Sequence, residues 1–198
     1  LKLESWKHRA EKWDSVHVPC SIAVVGKYTG LGDSYLSVTK ALMHSAIACD
    51  RKLKILWIEA EDLEEESRQA NEDKYDEAWA KLKRADGVLV PGGFGGRGVE
   101  GKMCAAKYAR ESEIPYLGIC LGMQLLADTS EEGGSTKGLS LIPGDVRRIQ
   151  VKENFRLPHI GWNSIKLYQP TPLFNGIREG DSFYFVHSYH FVGKSDHI

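Results

Sequence analysis

Apolar and polar positions alternate in blocks along the first two thirds of the chain. Four short apolar runs stand out: "SIAVVGKY" at 21–28, "LKILWIEA" at 53–60, "DGVLVPGG" at 86–93 and "IPYLGI" at 114–119. Runs of that length with no polar face read as buried strands of a parallel sheet. The stretches between them change to a helical period. "DSYLSVTKALMHSAIAC" predicts a helix capped by Asp33, with Tyr35, Val38, Leu42, Ala46 and Cys49 near one face. "KYDEAWAKLKRA" predicts a second, with Tyr75, Trp79 and Leu82 inward, and "EGKMCAAKYARES" a third. A further helix is expected from Leu121 through Asp128, and the acidic "DLEEESRQANED" reads as a surface loop. Strand and helix in alternation predict an α/β fold of three layers, a mostly parallel central sheet flanked by helices.

The two ends of the chain differ from this pattern. Residues 1–17 are charged, with Trp6 and Trp13 seven apart, and read as a lead-in helix or linker ahead of a domain spanning 18–198. After Ser130, glycine, proline and alternating apolar residues predict short strands and hairpin-like turns, so the C-terminal part is more β-rich. Within it, "FYFVHS" at 183–188 is expected to be buried on at least one face.

Composition narrows the function classes. The chain has 198 residues, 42% hydrophobic and 27% charged, with a formal net charge of -1. That charge gives no general footprint for nucleic acid. No apolar run approaches a membrane span, so no membrane partner and a cytoplasmic location are expected. Cys20, Cys49, Cys104 and Cys120 have neither disulfide-framework nor zinc spacing, so no metal and no cofactor are expected in this domain.

Two strand ends carry chemistry. Ligand sites of open parallel sheets form outside the carboxyl ends of strands. In "VLVPGGFGGRGVEGK" five glycines follow a strand and precede a helix. Glycines there allow backbone amides to point at an anion. The segment is no phosphate-binding P-loop, because Lys102 is followed by Met103. The other end is "LGICLGMQ", a G-x-C-x-G that repeats the logic of the nucleophile elbow. Such a turn exposes the nucleophile above the sheet, and a helix N-terminus beneath a sulfur favours the thiolate. Cys20, Cys49 and Cys104 read instead as buried core cysteines.

With these segments in hand, the chain resembles the class I (triad-type) glutamine amidotransferases, of flavodoxin-like form. Residues 1–126 are similar to the glutaminase domain of CTP synthases, through "LKLESWKHRAEKWDS", "IAVVGKYTGLGDSYLSVTKALMHSA", "ADGVLVPGGFGGRGVEGK" and "IPYLGICLGMQL". Residues 125–191 look more like the glutaminase subunit of imidazole glycerol phosphate synthase, through "LPHIGWNSI" and "FYFVHSYHF". The chain reads as two related sequences joined near residue 125, engineered or natural.

The resemblance implies roles. Cys120 attacks the side-chain amide of L-glutamine and forms a glutamyl thioester, and the ammonia passes to a synthase domain or subunit, of CTP synthase type first. The amides of Gly93 and Leu121 form the oxyanion hole. Phe94, Gln124, Glu132, Ser188 and Tyr189 contact substrate. For Glu132, in "SEEGG", the plain alternative is a solvated loop residue. "PHIGWN" corresponds to a segment near the synthase partner in the second family, or is a Pro/Gly turn. The family completes its Cys-His-Glu triad with an H-P-E segment near the C-terminus, which these 198 residues do not contain. The resemblance therefore implies further residues beyond a truncated C-terminus. It also places His187 away from the base position. A chain lacking that base is expected to bind glutamine and turn it over poorly. An elbow-cysteine hydrolase or thiol-stress protein of similar form is the third reading.

Overall fold

In the computed structural model, residues 3–93, 95–152 and 155–193 are described. They fall into two compact units divided between Leu126 and Ala127.

The first unit is built on the four apolar runs. They form β1 (Pro19–Gly26), β2 (Lys52–Glu59), β3 (Gly87–Val90) and β4 (Tyr116–Gly118). All pairings are parallel, in the order β2-β1-β3-β4. Strand alternation sends Ala23 and Val25 of β1, Leu56 and Ile58 of β2, and Val88 and Val90 of β3 into one cluster. There they meet Ala78 and Leu82 of α4 (Glu72–Lys83) and Ala105 and Ala109 of α5 (Val99–Glu111). Each large side chain buried there contributes about 1.5–3 kcal/mol. The opposite face, with Val24 and Leu89 also buried, takes α2 (Leu36–Ala48), whose Ala46 is buried. The chain enters through α1 (Leu3–Ser15), none of whose residues is buried.

Several local expectations are corrected. Asp33 does not cap α2. Residues Gly32–Tyr35 form a 3-10 turn, and α2 starts at Leu36. The cause is Tyr35, whose hydroxyl donates to the Lys27 carbonyl at 2.7 Å and accepts from the Lys27 amide at 2.9 Å. Its ring lies 5.6 Å from that of Trp57, which fixes the turn before the helix can start. Cys49 is exposed rather than core, because α2 ends at Ala48 and the chain turns at Asp50 with φ 54°. The acidic stretch is not a loop. It holds a 3-10 turn (Ala60–Leu63) and α3 (Glu65–Ala70), anchored by Leu63, which is 1% exposed. The helix expected from Leu121 to Asp128 is a single turn, α6 (Leu121–Gln124). And β4 is an edge strand with Leu117 exposed, not a buried one.

The second unit is β-rich, as expected. It contains β5 (Thr129–Ser130), β6 (Thr136–Lys137), β7 (Gly144–Arg148), β8 (His159–Ser164), β9 (Ser182–His187) and β10 (Tyr189–Gly193). One sheet runs β10-β7-β5-β6, and β8 pairs with β9 in a separate antiparallel ribbon. Ser188 is thus the single residue between two sheets. "FYFVHS" is less buried than expected: Phe183 and Tyr184 are exposed, and Phe185 to His187 are half-buried. Across the ribbon, Ile160 and Trp162 of β8 are exposed as well.

Candidate active site

Cys120 sits at the turn between β4 and α6 with φ 53° and ψ -113°. An L-residue adopts that combination rarely and at a cost of about 1–3 kcal/mol. Two close approaches impose it. A Cβ on Gly118 would collide with the Gly122 carbonyl and come within 2.6 Å of the Met123 amide. A Cβ on Gly122 would strike the Val90 carbonyl. Neither glycine has a positive φ, so the flanking glycines are required for space, while the strain itself falls on Cys120. Tyr116 supports the turn from below, its hydroxyl donating to the Gly122 carbonyl at 2.8 Å. Burial pushes the Tyr116 phenol well above its usual pKa, so it stays a donor.

The turn is then locked by its own backbone. The amides of Met123 and Gln124 both donate to the Cys120 carbonyl at 3.0 Å, and Gly122 donates to Ile119 at 3.1 Å. Gln124 therefore lies one turn past the nucleophile. Among the described residues, no internal acceptor takes the amide of Leu121 or that of Gly93. Those are the two amides expected to hold an oxyanion. The expected dipole contribution is smaller than the sequence suggested, because α6 is only 4 residues long.

The glycine loop lies alongside. A Cβ on Gly92 would sit 3.0 Å from the Cβ and 3.4 Å from the Sγ of Cys120. Lys27 Nζ donates to the Gly95 carbonyl at 3.1 Å. Arg97 pairs with Glu61 at 2.8 Å, its guanidinium 4.9 Å from the Tyr28 ring centroid. The Gly101 amide donates to Glu64 at 3.0 Å, holding the start of α5. Phe94 lies outside the described residues.

Sequence reasoning missed one residue here. Lys102 is 0% exposed, and its Nζ has no hydrogen-bond partner among the described residues. A Cβ on Gly93 would sit 3.2 Å from that nitrogen. The signal was present: Lys102 heads the stripe Lys102, Ala105, Ala106, Ala109, whose spacing of three, four and seven marks the inner face of α5.

The remaining predicted contacts belong to the second unit. Glu132 is exposed in the turn between β5 and β6, its amide bonded to Ser130 Oγ at 3.1 Å. The neighbouring Glu131 accepts from the Arg148 amide at 3.0 Å, and Arg148 pairs with Tyr189 across β7 and β10. Ser188 accepts from the Ile149 amide at 2.9 Å. Glu132, Ser188 and Tyr189 thus flank the same end of β7.

His187 is engaged elsewhere. The Tyr189 carbonyl can only accept, so His187 donates to it through Nδ1 at 3.0 Å. Its Nε2 then accepts from His159 Nδ1 at 3.2 Å, and His159 Nε2 accepts from Asn163 at 3.2 Å. This relay uses both nitrogens of both rings. Among the described residues, no cluster of His, Cys, Asp and Glu is arranged to hold a metal. No helix among them is long and apolar enough to cross a membrane.

Comparison with known proteins identifies the family. The profile of "Glutamine amidotransferase class-I" matches residues 31–197. The chain belongs to that family. Members of this family are enzymes. Its relatives include the CTP synthase of Candida glabrata, 55% identical over 123 residues, which is 62% of this chain and 21% of that protein. CTP synthase 2 of Saccharomyces cerevisiae is 52% identical over 125 residues, 63% of this chain and 22% of that protein. The chain therefore spans about a fifth of the length of these curated relatives. Among solved structures, the glutaminase domain of Trypanosoma brucei CTPS with bound acivicin matches with a TM-score of 0.63 at 31% identity. That match covers 87% of this amidotransferase chain and 68% of the other.

Proposed function

We propose that the chain is the glutaminase part of a CTP synthase-type enzyme, hydrolysing L-glutamine to glutamate and passing ammonia to a synthase domain. The observation that carries this reading is Cys120 at φ 53° and ψ -113°, with the unengaged amides of Gly93 and Leu121 beside it. Sγ attacks the carboxamide carbon and the carbonyl oxygen becomes an oxyanion. Those two amides receive the charge as it develops, which is worth about 3–4 kcal/mol per donor in comparable sites. Collapse breaks the C–N bond, the departing nitrogen takes up a proton from solvent water and leaves as ammonia, and the glutamyl thioester remains for water to cleave to glutamate and the free thiol. Gln124, Glu132, Ser188 and Tyr189 are the residues proposed to hold the amino acid ends of the substrate, with Phe94 as a further contact.

The 198 residues contain no H-P-E segment, and the His159–His187 relay leaves neither ring free to serve as base. Glutamate release is the decisive measurement, compared between the chain and Cys120→Ala. Release that persists in Cys120→Ala would overturn the assignment. Labelling by acivicin, the compound bound in the Trypanosoma brucei domain, tests the glutamine site without turnover. A mass increment on the Cys120 peptide, suppressed by glutamine, is the expected result.

A further inference from the structure

An amine with no exposure and no hydrogen-bond partner needs an explanation. Removing an ammonium from water costs several kcal/mol unless another charge compensates. Among the described residues, no carboxylate bonds to Lys102. Of the acidic groups near the glycine loop, Glu61 is paired with Arg97 and Glu64 accepts from the Gly101 amide. Glu100, at the head of α5, acts on Cys104 on the other side of the helix. The nearby cation, Lys27, repels Lys102 and is directed to the Gly95 carbonyl. Tyr116 stays a neutral donor to Gly122. The glycine turn leaves one group. A Cβ added at Gly92 would sit 3.4 Å from Cys120 Sγ, and one added at the next residue, Gly93, 3.2 Å from Lys102 Nζ, so both groups lie against the same short loop. Burial first, then Lys27, pushes the Lys102 pKa down, and negative charge on Cys120 is what pushes it back up.

We propose that Lys102 is a positioning residue for the nucleophile: its amine, enclosed beneath the Gly92–Gly93 turn, is the counter-charge that stabilises the anionic sulfur of Cys120. The proposal rests on the assignment of Cys120 as nucleophile. It goes further by naming a cation, inside the same unit, that the Cys-His-Glu scheme does not include.

The test is site-resolved alkylation of the folded 198-residue chain and of Lys102→Met, read by peptide mass mapping at neutral pH. The exposed Cys49 serves as internal reference. Iodoacetamide is neutral and iodoacetate is an anion. The expected result is a Cys120 reaction about tenfold slower in Lys102→Met, with Cys49 unchanged. The iodoacetate-to-iodoacetamide ratio at Cys120 falls as well, which a purely structural role would not produce. Rates and ratio unchanged within about twofold would overturn the proposal. Lys102→Gln, which keeps length and polarity without charge, is read in the same way if Lys102→Met does not fold. Failure of both to fold would also overturn it, because the amine would then be needed by the fold itself. Alkylation requires no turnover, so loss of the glutaminase assignment through a Cys120-independent activity is a separate outcome.

Discussion

The Gly122 Cα is packed against the carbonyl oxygen of Val90, so tightly that a Cβ there would overlap it. The last residue of β3 thereby fixes the first turn after the nucleophile. Gly122→Ala must move either β3 or α6. Overpacking against backbone is expected to destabilise the first unit by about 3 kcal/mol or more. Thermal unfolding checks this, and the Cys120 alkylation rate should fall in parallel. An alanine variant with wild-type melting and reactivity would show that the turn can relax.

Strain at Cys120 makes a prediction of opposite sign. Cys120→Ala keeps a Cβ at φ 53°, and Cys120→Gly removes it. Relief of about 1–3 kcal/mol is partly offset by the greater freedom of glycine in the unfolded chain, about 0.5–1 kcal/mol. Cys120→Gly should therefore be more stable than Cys120→Ala by about 1 kcal/mol in denaturant unfolding. Equal stabilities would mean that the backbone at this residue is not strained.

Tyr116 links the elbow to pH. Tyr116→Phe removes the bond to the Gly122 carbonyl and should cost about 1–2 kcal/mol at neutral pH. Burial raises the phenol above its ordinary value of 10.0. The neutral form is thus favoured in the fold, and the stability it contributes is fully present below about pH 10. Above that, the unfolded chain loses the proton before the folded one, and stability falls as pH rises. A pH series of unfolding midpoints should show that loss shallower in Tyr116→Phe by the equivalent of one proton.

The histidine relay predicts an absence of effect. Both nitrogens of His187 are occupied, by His159 and by the Tyr189 carbonyl. His187→Asn should leave Cys120 alkylation within about twofold of the parent while loosening the β8–β9 ribbon. A tenfold slower reaction at Cys120 would instead make His187 the base.

Most of the first unit was legible in the sequence because its signals are local. Four apolar runs gave four parallel strands, and the glycines around Cys120 marked a turn that only close backbone packing demands. The errors arose where a tertiary contact overrode local chemistry. Asp33 has the side chain of a helix cap, yet Tyr35 reaching back to Lys27 delays the helix. Leu63 is one apolar residue in an acidic stretch, and its burial turned an expected loop into helical turns. Leu125 and Leu126 continue a helical pattern past Gln124, yet the chain leaves for β5. Lys102 was legible by position and illegible by type: its spacing was that of a core residue, but a lysine is read as solvated until burial is seen.

That burial gives Lys102→Met a second signature. Burial and Lys27 lower the Lys102 pKa below its ordinary 10.5, so the folded state disfavours the charged amine. Between the lowered folded value and about 10.5, the unfolded chain holds more protons than the folded one, and stability falls as pH falls through that window. Methionine has the same unbranched length and nothing to ionise. Lys102→Met should be more stable than the parent at neutral pH by about 1–3 kcal/mol, the cost of an unsatisfied buried polar group. The gain should narrow as pH approaches about 10.5, where the unfolded lysine is also losing its charge. Unfolding midpoints of the two proteins between neutral pH and that limit measure the difference directly. A variant that is more stable yet slower at Cys120 is what a functional amine predicts, and a variant that is less stable at every pH would mark Lys102 as a structural residue.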